Sequence, residues 1–122
     1  MTSSGATWSP TAATWAGNNR TALIRVPDAR RMELRLADMS ANPYLMAAAI
    51  GAAGLDGIAK KAVPPAPADL NMYNVHDPAV AAAAAIGKPL PSNLSEALDE
   101  LQASDALTAG LTLLFFLFDR TI

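Results

Sequence analysis

"NNRTALIRVPDARRMELRLADMSANPYL" (residues 18–45) contains two strand-like runs and the first turn of a helix. "TALIRV" (21–26) is rich in β-branched and long apolar residues, as strands are. "RMELRL" (31–36) alternates strictly: Met32, Leu34 and Leu36 point one way, Arg31, Glu33 and Arg35 the other. A short link through Pro27 and Asp28 lets the two runs pair as a hairpin. In "ANPYL", Asn42 is a good N-cap and Pro43 suits the first helical position.

The same stretch concentrates charge. Arg20, Arg25, Arg30, Arg31 and Arg35 stand against Asp28 and Glu33, a local balance of +3. The rest of the 122 residues carries −5. Positive charge so local suits a small anionic ligand. A nucleic-acid partner is not expected, because such binders carry a basic stripe and a high pI, whereas the pI here is about 5.1. The absence of cysteine removes disulfides, thiolate zinc sites and cysteine nucleophiles, and it agrees with a cytoplasmic setting. "MTSSGATWSP" has neither a basic nor an apolar signal region. The apolar run at 106–118 is shorter than the roughly 20 residues a membrane span needs, so no membrane partner is expected.

Beyond residue 45 the helix continues to about Lys60 and Lys61, whose charges favour its C-terminal end. Gly51, Gly54 and Gly57 mark a stripe on which something should pack closely, and Tyr44 reads as core. Residues 1–19 read as loop anchored by Trp8 and Trp15, and "VPPAPADL" (63–70) as a break. "HDPAVAAAAAIGKPLP" (76–91) reads as loop with a short helical turn, with His76 a solvated turn residue. Asn93 and Glu96 form a capping-box start for a helix to about Gln102, and a third helical stretch follows from Ser104. The five methionines read as packing residues.

The row Arg31, Glu33, Arg35 admits two readings. It can be a solvated face of mutual ion pairs, each worth about 0–1 kcal/mol. Alternatively, Glu33 ligates a hard cation while arginines hold its accompanying anions, as magnesium sites with few carboxylates do. Arg20 and Arg25 would extend that cluster. Spacing leaves both readings open, as it leaves open a non-enzymatic anion-binding or protein-interaction module.

Residues 18–61 resemble the C-terminal part of the glutamine synthetase catalytic domain. Asn19-Arg20-Thr21, Ile24-Arg25-Val26-Pro27, the Arg31–Glu33–Arg35 strand, Asn42-Pro43-Tyr44 and Ala53–Ile58 follow the family's pattern in order. "SGATWSPTAATWAGNNR", "DLNMY" and "LPSNLSEALDEL" extend the likeness to about residue 107, leaving 108–122 as an atypical apolar tail. "TWAGNNRT" and "RLAD" are similar to the type III-like GlnT branch, which includes γ-glutamylmethylamide synthetases.

The resemblance implies an α+β fragment of that domain, with a short antiparallel strand pair followed by two or three helices. It implies an ATP-dependent ligase joining glutamate to ammonia or a small amine through γ-glutamyl phosphate, with Mg2+ or Mn2+. By motif, Glu33 corresponds to a metal ligand and Arg35 to the arginine holding the substrate carboxylate. Arg20 corresponds to the arginine at the transferring phosphate, and Arg25 and Arg31 to nucleotide-side arginines. Arg30 departs from the branch's glycine and reads as a surface charge. The family's other metal carboxylates and its N-terminal domain have no counterpart here. The expectation is therefore an inactive last quarter of an enzyme whose complete form is a homo-oligomeric ring.

Overall fold

The structure is a computed structural model that describes residues 10–74 and 76–119, with side chains described through Thr112. Trp8 lies outside these residues. The chain divides into two compact units, Met1–Ala37 with Pro64–Leu90, and Asp38–Val63 with Pro91–Ile122.

The first unit holds a three-stranded sheet in the order β1 (Trp15–Ala16), β2 (Ile24–Asp28), β3 (Arg31–Leu34). β2 and β3 form the expected hairpin, closed by an Asp28↔Arg31 pair and by the Arg30 amide donating to Asp28 Oδ1 at 2.9 Å. Pro27 sits in the bulged part of β2, past the two residues that β1 pairs with, where its missing N–H removes no ladder bond to that neighbour. β1 corrects the loop reading of residues 1–19: Trp15 and Ala16 run parallel to Ile24 and Arg25. The alanine run also corrects its reading. α2 (Pro78–Ile86) is a nine-residue helix, capped by Asp77, whose side chain accepts from the Ala79 amide at 2.8 Å. Alanine has the best helix propensity, so the segment needs no amphipathic pattern. His76 is exposed in a turn, as expected.

The core of this unit is small-residue packing: Ala12, Ala16, Ala22, Leu23, Ala68 and Val80 are buried. Long-range hydrogen bonds tie it together. Trp15 Nε1 donates to Pro65 O at 2.7 Å, the anchoring role expected of it, and the Ala68 amide donates to Trp15 O at 2.7 Å. Gly87 lies so close to the 12–14 segment that a Cβ there would stand 2.6 Å from Ala13 O. By strand alternation the apolar side chains of β2 leave the face that carries Arg25. Ile24 and Val26 line, with Trp15, Pro64 and Pro65, an apolar cavity of about 420 Å³.

The second unit is helical. α1 (Pro43–Ala59) packs on α4 (Asp105–Asp119), and α3 (Leu94–Gln102) also touches α4. Both anticipated caps are present: Asn42 Oδ1 accepts from the Tyr44 and Leu45 amides, and Asn93 Oδ1 from the Glu96 amide. α1 ends in a Schellman motif, with Ala62 N–H bonded to Gly57 O and Lys61 N–H to Ile58 O. Lys61 adopts φ 52°, where glycine is usual. Asp56, by its hydrogen bond and its charge, holds the Lys60 ammonium above the usual lysine range.

Three packing expectations fail. A Cβ on Gly51, Gly54 or Gly57 meets nothing within 4 Å; the tight approach is at Gly110 of α4, where a Cβ would collide with Ala52 Cβ. Tyr44 is 72 % exposed in the first turn of α1. Met32 and Met39 are also exposed, because no element of their own unit covers them. No helix among the described residues is long and apolar enough to cross a membrane.

Candidate functional site

β2 and β3 place Arg25 directly opposite Glu33. Opposed residues on an antiparallel pair stand about 5 Å apart at Cβ, so their heads meet without stretching either chain. Arg25 Nη1 lies 2.8 Å from Glu33 Oε2, and Arg35 Nε lies 3.5 Å from Glu33 Oε1. One carboxylate thus bridges two guanidiniums. The side chains of Arg25 and Arg35 are 11 % and 14 % exposed, against 43 % for Glu33.

Both arginines are fixed independently of Glu33. Asn18 Oδ1 accepts from Arg25 Nε at 3.0 Å and also from Nη2, which sets the plane of that guanidinium. Arg35 Nη1 donates to Ala22 O at 3.4 Å. A guanidinium has five N–H groups. These contacts use three of those on Arg25, leaving one on each Nη for an oxyanion.

Arg25 opens onto a polar groove of about 690 Å³ lined by Asn18, Asn19, Arg20, Thr21, Asp69, Leu70 and Asn71. Arg20 reaches it from the exposed turn before β2. The groove's floor is stitched by Asn19, which donates through Nδ2 to Ala68 O at 3.1 Å and Leu70 O at 2.7 Å. Its Oδ1 accepts from the Thr21 amide at 2.9 Å. Asp69 Oδ1 accepts from the Gly17 amide at 3.2 Å.

The structure therefore joins Arg20 with Arg25 in the groove, and Arg25 with Glu33 and Arg35 in the ion triad. Arg31 stands elsewhere: its Nε faces Asp28 Oδ2 at 3.8 Å, at the exposed end of the hairpin. The simple row along β3 is broken because the Asp28↔Arg31 pair closes the turn next to a bulge in β2. Arg30 is exposed in that turn. Sequence reasoning missed Asn18, Asn19, Asp69 and Asn71 as parts of the site. "DLNMY" was the available signal, but it lies about fifty residues from the arginines it meets.

As for a divalent cation, no three His, Cys, Asp or Glu side chains cluster among the described residues. Both Glu33 oxygens already face guanidiniums. These residues fit one ligand of a cation site and do not make a whole one. What the groove can do unaided is grip a small oxyanion with planar, bidentate donors.

The fold and groove define a class: an α+β catalytic-domain segment that offers arginines around a single carboxylate. The family model for the glutamine synthetase catalytic domain matches residues 4–117, and the chain belongs to that family. A glutamine synthetase of Rhizobium leguminosarum bv. phaseoli is 46 % identical over 110 residues, covering 90 % of this chain and 24 % of the relative. A glutamate–methylamine ligase of Methyloversatilis universalis is 43 % identical over 107 residues, with 88 % and 24 % covered. Among solved structures, a GmaS/ADP complex superposes with a TM-score of 0.77 at 50 % identity, covering 88 % of this chain and 24 % of that one. The chain thus spans about a quarter of the length of these relatives. Its motifs had pointed to this family and to the branch that includes γ-glutamylmethylamide synthetases, and both are borne out.

Proposed function

We propose that this chain supplies part of the nucleotide, cation and glutamate site of an ATP-dependent ligase that joins glutamate to ammonia or a small amine. The observation that carries the reading is the convergence of Arg20 and Arg25 on one groove, with Glu33 held between Arg25 and Arg35. A carboxylate that attacks ATP gives γ-glutamyl phosphate, and an amine then displaces phosphate. Such phosphoryl transfer depends on positioning and charge neutralisation.

In this reading Arg20 contacts the transferring phosphate and acts catalytically. Arg25 and Arg31 bind nucleotide phosphates, Arg35 holds the substrate carboxylate, and Glu33 is one ligand to Mg2+ or Mn2+. The cation would supply charge neutralisation of the phosphates when bound, and among the described residues Glu33 is the one carboxylate placed to ligate it in this reading. Residues 1–107 carry the catalytic-domain portion, and 108–122 are an atypical apolar tail whose residues 108–119 continue α4. The working enzyme is a cytoplasmic homo-oligomeric ring. No comparison favours the alternative of a non-enzymatic anion-binding module.

The test is a chimera in which this chain replaces the corresponding quarter of the Rhizobium leguminosarum glutamine synthetase. Phosphate release that depends on glutamate, ATP and ammonia or methylamine is the expected result, with none from the 122 residues alone. Arg20→Ala in the chimera should lower turnover by about 10³-fold, the low end of what a phosphate-stabilising arginine contributes. A well-folded chimera with no amine-dependent phosphate release would refute the reading.

A further inference from the structure

Arg25 meets its two partners unequally. Asn18 Oδ1 takes the guanidinium edge formed by Nε and Nη2, accepting from Nε at 3.0 Å and from Nη2 as well. Glu33, although directly opposite on β3, receives a single bond, from Nη1 at 2.8 Å. Arginine and a carboxylate commonly pair through two parallel N–H···O bonds, and the Nε–Nη2 edge is shaped for such a fork. What occupies that edge instead is one amide oxygen on an exposed residue.

That oxygen is well held. Asn18 lies in the turn between β1 and β2, and both of its neighbours in sequence are tied to the 68–70 segment. The Gly17 amide donates to Asp69 Oδ1, and Asn19 Nδ2 donates to Ala68 O and Leu70 O. The turn is thus anchored on either side of Asn18.

We propose that Asn18 is a positioning residue for Arg25. By filling the Nε–Nη2 edge it holds the Arg25–Glu33 pair to one bond and keeps an N–H on each Nη available to the groove. Without Asn18 the guanidinium turns until Nε and Nη2 fork the Glu33 carboxylate, which needs only a change of side-chain torsions. Arg25 is then closed onto its own strand partner and its remaining N–H groups leave the groove. The consequence for turnover rests on the nucleotide-phosphate role proposed above for Arg25, whereas the geometry stands apart from that role.

The first arm of the test uses the full chain labelled with 13C and 15N and reads hydrogen-bond scalar couplings from Arg25 Nε. In the wild type Nε should couple to the side-chain carbonyl carbon of Asn18. Asn18→Ala should move that coupling to the carboxyl carbon of Glu33, and Asn18→Asp, which keeps an acceptor oxygen, should restore a coupling to residue 18. An Asn18→Ala chain in which Nε gains no coupling to Glu33 would overturn the proposal. Should that variant not fold, the wild type decides, because an Nε coupling to Glu33 in place of Asn18 would overturn it too. The second arm uses the Rhizobium leguminosarum chimera. There Asn18→Ala should raise the KM for ATP by about 10-fold, the weight of one hydrogen bond to a charged group, and lower kcat by less. A merely structural Asn18 would lower the yield of folded enzyme and leave the KM of what folds unchanged. Closure of Arg25 onto Glu33 with no rise in KM would uphold the positioning and overturn the nucleotide role of Arg25, so the two fail separately.

Discussion

The two units are held together by different means. Every buried apolar side chain among the described residues, from Pro10 to Val80, lies in the first unit, and four of the seven are alanines. Such small side chains bury little area each, so the unit depends on close backbone approach and on hydrogen bonds that cross fifty residues of sequence. In the second unit neither α1 nor α3 contains a buried residue, while Tyr44, Leu55, Ile58 and Leu94 are more than two-thirds exposed. A helix apolar on all sides belongs inside a larger body. The contrast explains why the groove sits on the first unit: a charged site needs fixed donors, and hydrogen bonds fix them better than a sparse apolar contact does.

The largest effect expected from that contrast is at Gly87. An alanine there would drive a Cβ to 2.6 Å from the Ala13 carbonyl oxygen, a backbone atom that cannot swing away. Gly87→Ala should cost about 3 kcal/mol, the upper part of the overpacking range. Gly110→Ala in the second unit also meets a close neighbour, Ala52 Cβ. There the Ala52 Cβ is equally unable to swing away, but alanine improves helix propensity by up to about 1 kcal/mol, so the net cost should be nearer about 2 kcal/mol. Urea unfolding followed by far-UV circular dichroism compares them. A Gly110 variant hit as hard as the Gly87 variant would break the contrast.

Next in size is Asn19, whose amide serves the Ala68 and Leu70 carbonyls and the Thr21 amide. Asn19→Ala strands these groups and should cost about 2 kcal/mol. Amide exchange should rise at Thr21 and across 68–72, while α1 and α4 keep their protection. Loss of protection in both units together would show that they unfold as one.

How far the sequence disclosed all this depends on range. Caps are written within four residues, so Asn42-Pro43 and Asn93–Glu96 were legible, and so was the hairpin, whose partners adjoin. β1 was not legible. It has two residues and runs parallel to β2 with only Gly17–Leu23 between them, where parallel strands usually need a crossover of about a dozen residues. α2 was hidden because alanines carry no periodic pattern to read. The arginines of the site stood out through their motifs. Asn18's grip on Arg25 and the closure of the groove by 69–71 did not, since nothing local encodes them. The glycine stripe misled for another reason: it promises a packing partner, and this chain offers none.

That open stripe yields a smaller prediction with an unusual sign. Gly54→Ala in this chain should stabilise α1 by about 0.5–1 kcal/mol, because glycine's extra chain entropy is removed and no neighbour objects. Lys61→Gly should also stabilise it, by a similar amount of about 0.5–1 kcal/mol, because φ 52° suits glycine and strains lysine. In the ligase chimera the two should part company. Lys61→Gly should remain favourable, whereas Gly54→Ala should become costly if the rest of the catalytic domain packs on the stripe. Thermal melting of both variants in both contexts measures this. Equal behaviour of Gly54→Ala in the two would mean that nothing covers the stripe.

The smallest effect separates two helix starts within the second unit. At the start of α3 the Glu96 carboxylate accepts from the Ser92 amide at 2.7 Å, the Ser92 hydroxyl at 2.9 Å and Asn93 Nδ2 at 2.8 Å. These bonds, the Ser92 amide foremost, hold it below its ordinary value of 4.5. A carboxyl whose folded value is depressed adds stability that is fully present above its unfolded value and is lost as pH falls through the folded one. The α3 cap should therefore loosen as pH drops from 4.5 downward. The α1 cap rests on the neutral Asn42 amide and has no acidic residue in its first turn, so it has nothing comparable to lose. Chemical shifts of the Glu96 and Ala97 amides should move with acid before those of Tyr44 and Leu45. Movement of both sets together would mean that acid acts on the α1–α4 and α3–α4 packing as a whole, and that the caps follow the packing instead of governing their own ends.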